Sequence, residues 1–354
     1  MHICCFVMAI LLESKSIVFQ ILTLYLLVDN SSGKIFPAVF TFGDSLVDVG
    51  NNYYIETIAK PTLPNGIDFG TEQELGFGSF SPPYLSPMAA GDIILMGVNY
   101  ASAASGILSD TGNIYGGHIG LEAQITNFGN TKQDIMNRID TAAAESLLRE
   151  SLYIIAIGAN DVMTGLVTTL TNSSREAYFD KLISTFRSQL IRLYFLGARK
   201  IVVMNCACIG NIPVRRAIFP NDFIVPLNQV VQYYNSRLKK LLTELTTSLT
   251  GSMYVYSDVY ASLQNILQNG KTYGKYNCFE NVDSACCHGI GPFDGIFSCK
   301  TGFQVCKNRS KYMFWDQFHP TDAAYLIMAK HFMDGGLNYI SPMNIRQLMN
   351  FPVN

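Results

Sequence analysis

A serine that follows an apolar run is the first residue of this sequence that could act as a nucleophile. The run at residues 36–42 ends at Gly43, Asp44 and Ser45, and a glycine there permits a sharp turn. The pattern predicts a buried strand that exposes Ser45 at the sheet edge where open α/β folds bind ligands. A serine hydroxyl is a weak nucleophile, so it needs a base and donors for the oxyanion. Taken alone, a Gly-Asp-Ser sequence is more often an ordinary turn.

A candidate base lies near the carboxyl end of the chain. Asp316 and His319 are three residues apart and precede a predicted helix. A carboxylate at that spacing can accept a hydrogen bond from one imidazole nitrogen and leave the other nitrogen free as a base. The alternative is an acidic residue at a helix start beside a surface histidine.

A candidate oxyanion donor follows a second apolar run. Residues 152–157 are continuously apolar and end at Gly158, a pattern typical of a buried parallel strand. Asn160 would then lie at the same sheet edge as Ser45, where its side-chain amide could face an oxyanion. The alternative is a turn asparagine, which is common after strands.

Predicted strands and helices alternate along the chain. Apolar runs and helical spacing of apolar residues predict strands at 36–42, 152–157, 200–204 and 253–256, and helices at 121–128, 142–148, 178–196, 222–249, 259–267 and 321–332. This order predicts a three-layer α/β/α sandwich with a mainly parallel sheet and right-handed crossovers. No internal repeat or linker divides it, so residues 34–354 are expected to form one domain.

Composition excludes some partners. The chain has 354 residues, a net charge of −2, a pI of about 6.2 and a mean hydropathy of +0.19. No basic run is present, so we expect no nucleic-acid partner. The length is enough for a substantial core.

The first 33 residues do not resemble part of a fold. Two apolar runs flank a polar break with Lys15, and each is shorter than the roughly 20 residues that span a bilayer. Residues 1–33 are predicted to be a secretory signal peptide cleaved before Lys34. The mature protein is then extracellular, in the cell wall or apoplast, with no membrane span. A retained membrane anchor is the alternative.

The distribution of cysteines and glycosylation sequences agrees with export. A Gly- and Asn-rich stretch contains Cys278, Cys286, Cys287, Cys299 and Cys306. Such a cluster in a secreted chain predicts disulfides with one cysteine left over, and a zinc site is the weaker alternative because paired C-x-x-C units are absent. Cys206 and Cys208 are expected to be free core thiols. Asn172 and Asn308 begin glycosylation acceptor sequences.

Four stretches carry a family resemblance. Residues 40–52, 97–108, 157–161 and 314–325 resemble, in order, the motifs of plant GDSL esterase/lipases in the SGNH hydrolase superfamily. The resemblance spans nearly the whole mature chain. It implies a flavodoxin-like α/β/α fold.

The resemblance also implies catalytic roles. Ser45 corresponds to the nucleophile, His319 to the base and Asp316 to the acid that orients it. The oxyanion donors would be the backbone N–H of Ser45, the side chain of Asn160 and a backbone N–H of the second stretch. For that last donor we assign Gly106, with the N–H of Ala104 as the alternative.

The implied function is that of an extracellular serine hydrolase for lipid or other carboxylic esters, acting as a monomer without cofactor or metal. Two alternatives stay open. The same acyl-enzyme could pass its acyl group to an alcohol, as in an acyltransferase. The chain could also be an inactive product of an internal deletion.

One departure from the family supports the last alternative. Relatives carry a longer segment and a helix after the position of Phe69, whereas here a few residues, 70–73, lead directly into the next stretch. A parallel crossover usually contains about a dozen residues or more with a helix. We therefore expect a missing helix near 70–73 and exposed apolar surface on the sheet.

Overall fold

The computed structural model describes residues 36–68, 81–168, 171–270, 279–297 and 299–353. The predicted signal peptide, the gap at 70–73 and Cys278 lie outside these residues. The strands are β1 (Val39–Gly43), β2 (Leu152–Ala156), β3 (Lys200–Met204), β4 (Met253–Ser257), β5 (Asn281–Ala285), β6 (Cys287–His288), β7 (Gln304–Val305), β8 (Tyr312–Phe314) and β9 (Ile340–Ser341). The helices are α1 (Leu121–Ile139), α2 (Thr141–Glu150), α3 (Ala159–Thr168), α4 (Asn172–Phe195), α5 (Pro213–Ile218), α6 (Ile224–Ser248), α7 (Val259–Asn269), α8 (Asp322–Asp334) and α9 (Ile345–Met349).

A mainly parallel sheet forms the middle layer of a three-layer α/β/α sandwich, as predicted. Its strand order is β1-β2-β3-β4-β9; β1 to β4 are parallel, and β9 is antiparallel to β4. The first four strands are almost wholly apolar and almost completely buried, as expected for strands covered on both faces.

A further segment extends the sheet beyond β1. Residues 98–102, here called the edge segment, run parallel to β1. The Thr41 N–H donates to Val98 O at 3.1 Å, and the Tyr100 N–H donates to Thr41 O at 2.8 Å. Counted in chain order, the spatial order becomes 2-1-3-4-5, the flavodoxin-like arrangement whose switch point lies between β1 and β2.

An aromatic cluster joins α1 to this end of the sheet. The buried residues of α1 recur at helical spacing, so one face of the helix covers the sheet. Phe128 on that face contacts the rings of Phe40 (5.1 Å), Phe42 (5.7 Å), Tyr100 (6.0 Å) and Tyr153 (5.6 Å) between centroids. These ring contacts pack β1, β2 and the edge segment against α1.

Apolar surface was expected to be exposed on the sheet, but the first strand does not show it. Every residue of β1 is buried. The described parts of its connection to the edge segment, 44–68 and 81–97, contain 3₁₀ turns and no α-helix. The edge segment therefore pairs with β1 although residues 44–68 and 81–97 of the connection contain no α-helix.

The cysteine-rich stretch folds into a small lobe, residues 279–297 and 299–314, whose structure was not predicted from the sequence. Its disulfides are Cys286–Cys306 and Cys287–Cys299, which excludes these four as zinc ligands. The lobe also contains two short two-stranded sheets, β5 with β8 and β6 with β7. Because β8 leads directly into Trp315, the lobe is attached to the Asp316–His319 turn.

Other sequence predictions are confirmed with extended boundaries. Cys206 and Cys208 are free and buried. The helix predicted at 121–128 continues to Ile139, and Thr131 and Ile135 in the added turns are buried. The helix predicted at 178–196 begins earlier, at Asn172, where Thr171 and Ser174 form a capping box. In the described ranges, no helix is both long and apolar enough to cross a bilayer.

Candidate active site

The residues predicted as nucleophile, base and acid lie in one hydrogen-bonded row. His319 Nε2 is 2.8 Å from Ser45 Oγ. His319 Nδ1 is 2.9 Å from each oxygen of the Asp316 carboxylate. If Nδ1 carries the proton that Asp316 accepts, Nε2 is free to take the proton of Ser45. Since 274 residues separate Ser45 from His319, only the fold brings them together.

The turn between β8 and α8 positions the acid and the base. Asp316 Oδ1 also accepts the backbone N–H groups of Phe318 and His319, each at 2.8 Å. The Trp315 N–H donates to His319 O at 2.8 Å and closes the turn. The side chain of Asp316 is only 9% exposed, compared with 26% for His319. The buried carboxylate therefore has a fixed orientation toward the imidazole.

The pKa values of this pair shift in opposite directions. Burial alone would raise the pKa of Asp316, but the nearby His319 charge and its hydrogen bonds hold that pKa below its usual value. Burial alone would lower the pKa of His319, but the charge and hydrogen bond of Asp316 raise it above its usual value. The imidazole is therefore a stronger base than an isolated histidine.

A tight turn at the end of β1 presents Ser45. Gly43 lies so close to β2 that a β carbon there would be 2.2 Å from Ala156 O. The Asp44 N–H donates to that same carbonyl at 3.0 Å, and Asp44 Oδ1 accepts the Leu46 N–H at 3.0 Å. The backbone N–H of Ser45 makes no hydrogen bond to any described residue, so it remains available to an oxyanion.

Asp44 itself is an unusual neighbour for a nucleophile. Its side chain is 1% exposed, and Oδ2 has no hydrogen-bond partner within the described chain. Burial raises the pKa of Asp44 to about 7, and the charge of Asp161 adds to the increase, while the His319 charge opposes it. The Asp44 carboxyl is therefore expected to gain or lose its proton near neutral pH.

Asn160 is the residue predicted as a side-chain donor. It lies in the first turn of α3, directly after β2, on the same edge as Ser45. Its Nδ2 donates one proton to Ser105 O at 2.9 Å, and the second amide proton is left for another acceptor.

The hydrogen bonds of the loop after the edge segment leave two candidate backbone donors. From residue 103 to 108, the N–H groups of 103, 105, 107 and 108 are bonded to Asp48, Ser102 and Asp161. Those of Ala104 and Gly106 are not bonded to any described residue.

Peptide geometry separates these two candidates. The Gly106 N–H belongs to the same peptide as Ser105 O, and the two bonds of a trans peptide point in opposite directions. Because Asn160 donates to Ser105 O, the Gly106 N–H points away from the Asn160 amide. The two donors therefore do not converge on one oxygen, which counts against the prediction for Gly106 and favours Ala104.

The sequence did not reveal the residues that hold this loop. Asp161 is completely buried and accepts from the N–H groups of Ile107 (2.9 Å) and Leu108 (3.0 Å) and from Thr111 Oγ1 (2.7 Å). In the sequence, the only indication of this role was an aspartate directly after Asn160, at the end of a predicted strand.

Asp48, Asn51 and Asn52 were also missed. All three follow Ser45 in the quoted 40–52 stretch, and all three hydrogen-bond to the edge segment or the loop that follows it. Their signal was a run of polar residues in a segment where the sequence predicted only a loop.

The predicted glycosylation acceptors are both at the protein surface. Asn172 is at the start of α4 and Asn308 precedes β8, and both side chains are exposed. Exposure is a requirement for glycosylation, which stays a prediction.

Comparison with known proteins identifies the family. Residues 39–332 match the family described as GDSL-like Lipase/Acylhydrolase. A GDSL esterase/lipase of Arabidopsis thaliana is 42% identical over 348 residues, covering 91% of this chain and 94% of the relative. GDSL esterase/lipase 7 of the same plant is 37% identical over 338 residues, covering 88% and 92%. A solved acetyl xylan esterase of Geobacillus stearothermophilus is 15% identical and covers 90% of this chain and 99% of its own, with a TM-score of 0.37. The family match spans most of the chain and the plant relatives align almost end to end, so the chain belongs to the GDSL-like lipase/acylhydrolase family.

Proposed function

We propose that this carboxylic ester hydrolase works through an acyl-enzyme on Ser45. The observation that carries the proposal is the row Ser45 Oγ–His319 Nε2 (2.8 Å) and His319 Nδ1–Asp316 (2.9 Å). His319 takes the hydroxyl proton as Ser45 attacks the ester carbonyl, and the imidazolium that forms is stabilised by Asp316. His319 then protonates the leaving alcohol. A water molecule, activated in the same way, releases the acid.

Three N–H groups would stabilise the tetrahedral oxyanion. They are the backbone N–H groups of Ser45 and Ala104 and the second amide proton of Asn160. None of these groups is used by another described residue, so they need no rearrangement when charge develops. Donors of this kind typically contribute about 3–4 kcal/mol each to transition-state stabilisation.

Exposed apolar side chains in the loops that follow Ser45 and the edge segment support an ester with a hydrocarbon portion. Tyr53 and Tyr54 follow the nucleophile turn and are 53% and 50% exposed, and Ile58 and Ile114 are 78% and 82% exposed. The Ile58 N–H donates to Tyr115 O at 2.9 Å, so the loops that carry Ile58 and Ile114 are joined. We propose that these residues contact the acyl chain or the apolar part of the alcohol of a lipid or small acyl ester.

Covalent labelling tests the proposal directly. The folded protein should take up a fluorophosphonate at Ser45, located by peptide mapping, and should hydrolyse a short-chain p-nitrophenyl ester. Ser45→Ala should abolish both activities. Ser236→Ala, an exposed serine on α6, should change neither. A folded wild-type protein that is not labelled at Ser45 would refute the mechanism and would favour the inactive-product alternative.

The acyltransferase alternative depends on which acceptor reaches the acyl-enzyme. Hydrolysis in the presence of increasing primary alcohol separates the two. A hydrolase keeps producing free acid, whereas an acyltransferase diverts most of the acyl group to the new ester at low alcohol concentration.

We also propose that the protein is exported as a monomeric glycoprotein. The disulfides Cys286–Cys306 and Cys287–Cys299 suit an oxidising compartment, and Asn172 and Asn308 are exposed. Expression in plant cells should give an extracellular protein that begins at Lys34 and loses mass on treatment with an N-glycosidase. A cell-bound protein that retains residues 1–33 would contradict this.

A further inference from the structure

We propose that Asn52 is a positioning residue that holds the Ala103–Ala104 peptide with its N–H directed at the oxyanion. The proposal rests on the esterase mechanism above. It assigns a role to a residue that lies seven positions after the nucleophile and does not contact the reacting atoms.

Asn52 hydrogen-bonds to the carbonyl oxygen of this peptide. Its side chain is completely buried. Nδ2 donates to Ala103 O at 3.1 Å and to Ala59 O at 3.2 Å, and Oδ1 accepts the Ser102 hydroxyl at 2.6 Å. The side chain is therefore held in one orientation, with an amide proton directed at Ala103 O.

Holding the carbonyl determines the direction of the N–H. The carbonyl of Ala103 and the N–H of Ala104 point to opposite sides of one trans peptide. With Ala103 O directed at Asn52, the Ala104 N–H faces the other way and meets no described hydrogen-bond partner. Rotation of this peptide would remove the donor from the oxyanion position.

The peptide needs such a restraint because its conformation is unfavourable. Ala104 has φ 69°, in the left-handed region, which costs an L-residue about 1–2 kcal/mol. On the far side, Gly112 packs so closely that a β carbon there would be 2.1 Å from Ala104 O. Ala104 keeps this unfavourable backbone conformation because the close packing of Gly112 and the hydrogen bond from Asn52 disfavour any other conformation.

A second side chain holds the preceding N–H. Asp48 Oδ2 accepts the Ala103 N–H at 3.0 Å, and its Oδ1 accepts the N–H groups of Gly50 and Asn51 at 2.8 Å each. Asp48 and Asn52 both belong to the loop that begins at Ser45. The loop that carries the nucleophile therefore also orients the oxyanion peptide, and the two parts of the site are coupled.

Asn51 provides a matched control. It is also completely buried and also makes three hydrogen bonds, from Nδ2 to Asn99 O (2.9 Å) and Ala101 O (2.8 Å) and to Oδ1 from the Leu85 N–H (3.0 Å). Two of these bonds hold the edge segment, the third holds Leu85, and none touches the Ala103–Ala104 peptide. Asn52→Leu and Asn51→Leu thus remove equal numbers of buried hydrogen bonds at adjacent positions.

The experiment compares kcat, KM, the melting temperature and the inhibition constant of a trifluoromethyl ketone, whose adduct with serine carries an oxyanion. Loss of one oxyanion donor lowers kcat by about 100-fold or more. For Asn52→Leu we expect a loss of that order, an equal rise in the inhibition constant and little change in KM. For Asn51→Leu we expect a similar fall in melting temperature with a much smaller loss of kcat.

Equal losses of kcat in the two variants, or an unchanged inhibition constant in Asn52→Leu, would overturn the proposal. If Asn52→Leu does not fold, Asp48→Asn, which keeps the side-chain volume, must lower kcat and weaken the inhibitor together. Wild-type kinetics in Asp48→Asn would then overturn it. Wild-type turnover and labelling of Ser45 are measured in parallel, and their absence refutes the esterase mechanism itself.

Discussion

Replacing Asp44 by asparagine should stabilise the protein at neutral and alkaline pH relative to the wild type. Asp44 is 1% exposed, and only its Oδ1 is hydrogen-bonded, to the Leu46 N–H. Asparagine keeps that acceptor and the side-chain volume but has no charge to desolvate. The structure therefore predicts a stability difference that grows with pH.

The sign and size of this stability difference follow from the linkage between folding and proton binding. The pKa of Asp44 is raised from 3.8 to about 7 by burial, so between these values the folded protein binds a proton that the unfolded chain has lost. The stabilising contribution of the protonated form is therefore lost as pH rises toward the folded pKa, and it does not recover above that value. One pKa unit corresponds to about 1.4 kcal/mol, so the wild type should lose roughly 3 kcal/mol from this group between about pH 5 and pH 8.

The measurement is urea-induced unfolding of both proteins at several pH values in this range. The free energy of unfolding of Asp44→Asn minus that of the wild type should increase by roughly 3 kcal/mol from the lowest to the highest pH, with equal m-values. The charge of His319 lowers the pKa of Asp44 and so opposes the effect of burial. The increase with pH should therefore persist when both proteins also carry His319→Gln. A difference that stays constant with pH would show that Asp44 is ionised throughout and that burial does not raise its pKa.

Three further predictions concern the acid, the amide donor and the core. Asp316→Asn should lower kcat by about 10⁴-fold. Because Asp316 raises the pKa of His319, the rise of the remaining kcat/KM with pH should also move to lower pH; an unmoved pH profile would contradict this role. Asn160→Ala should lower kcat by about 10²–10³-fold with little effect on KM, and steady-state kinetics in which only KM changes would exclude it as an oxyanion donor. Phe128→Ala should cost about 3–5 kcal/mol in chemical denaturation, since its ring packs against four others; a loss below about 1 kcal/mol would show that the cluster does not hold the sheet edge.

Some features were predictable because their signals are local. The buried strands are continuous apolar runs, and each run falls on a strand of the central sheet. Parallel strands expose their following loops at one edge, so the proximity of Ser45 and Asn160 also followed from the order of elements. The predicted three-layer fold needed only this alternation of strands and helices.

Other features depended on contacts between distant parts of the chain. The pairing of Cys286 with Cys306 and of Cys287 with Cys299 could not be deduced from cysteine spacing. The edge segment has no strand-like apolar pattern, and its place beside β1 is set by backbone hydrogen bonds. The lobe around the disulfides contains strands of only two to five residues, too short for a periodic signal.

The candidate catalytic side chains could be identified from the sequence, because serine, histidine, aspartate and asparagine are recognisable wherever they occur. The backbone N–H groups that are free to join them could be identified only from the folded chain. A peptide N–H carries no side-chain signature, and its direction depends on the partner of the neighbouring carbonyl. Here those partners are Asn160, at Ser105 O, and Asn52, at Ala103 O, both about 50 residues away along the chain. The fold therefore favours Ala104 over Gly106 as the backbone donor, although the sequence alone favoured the glycine.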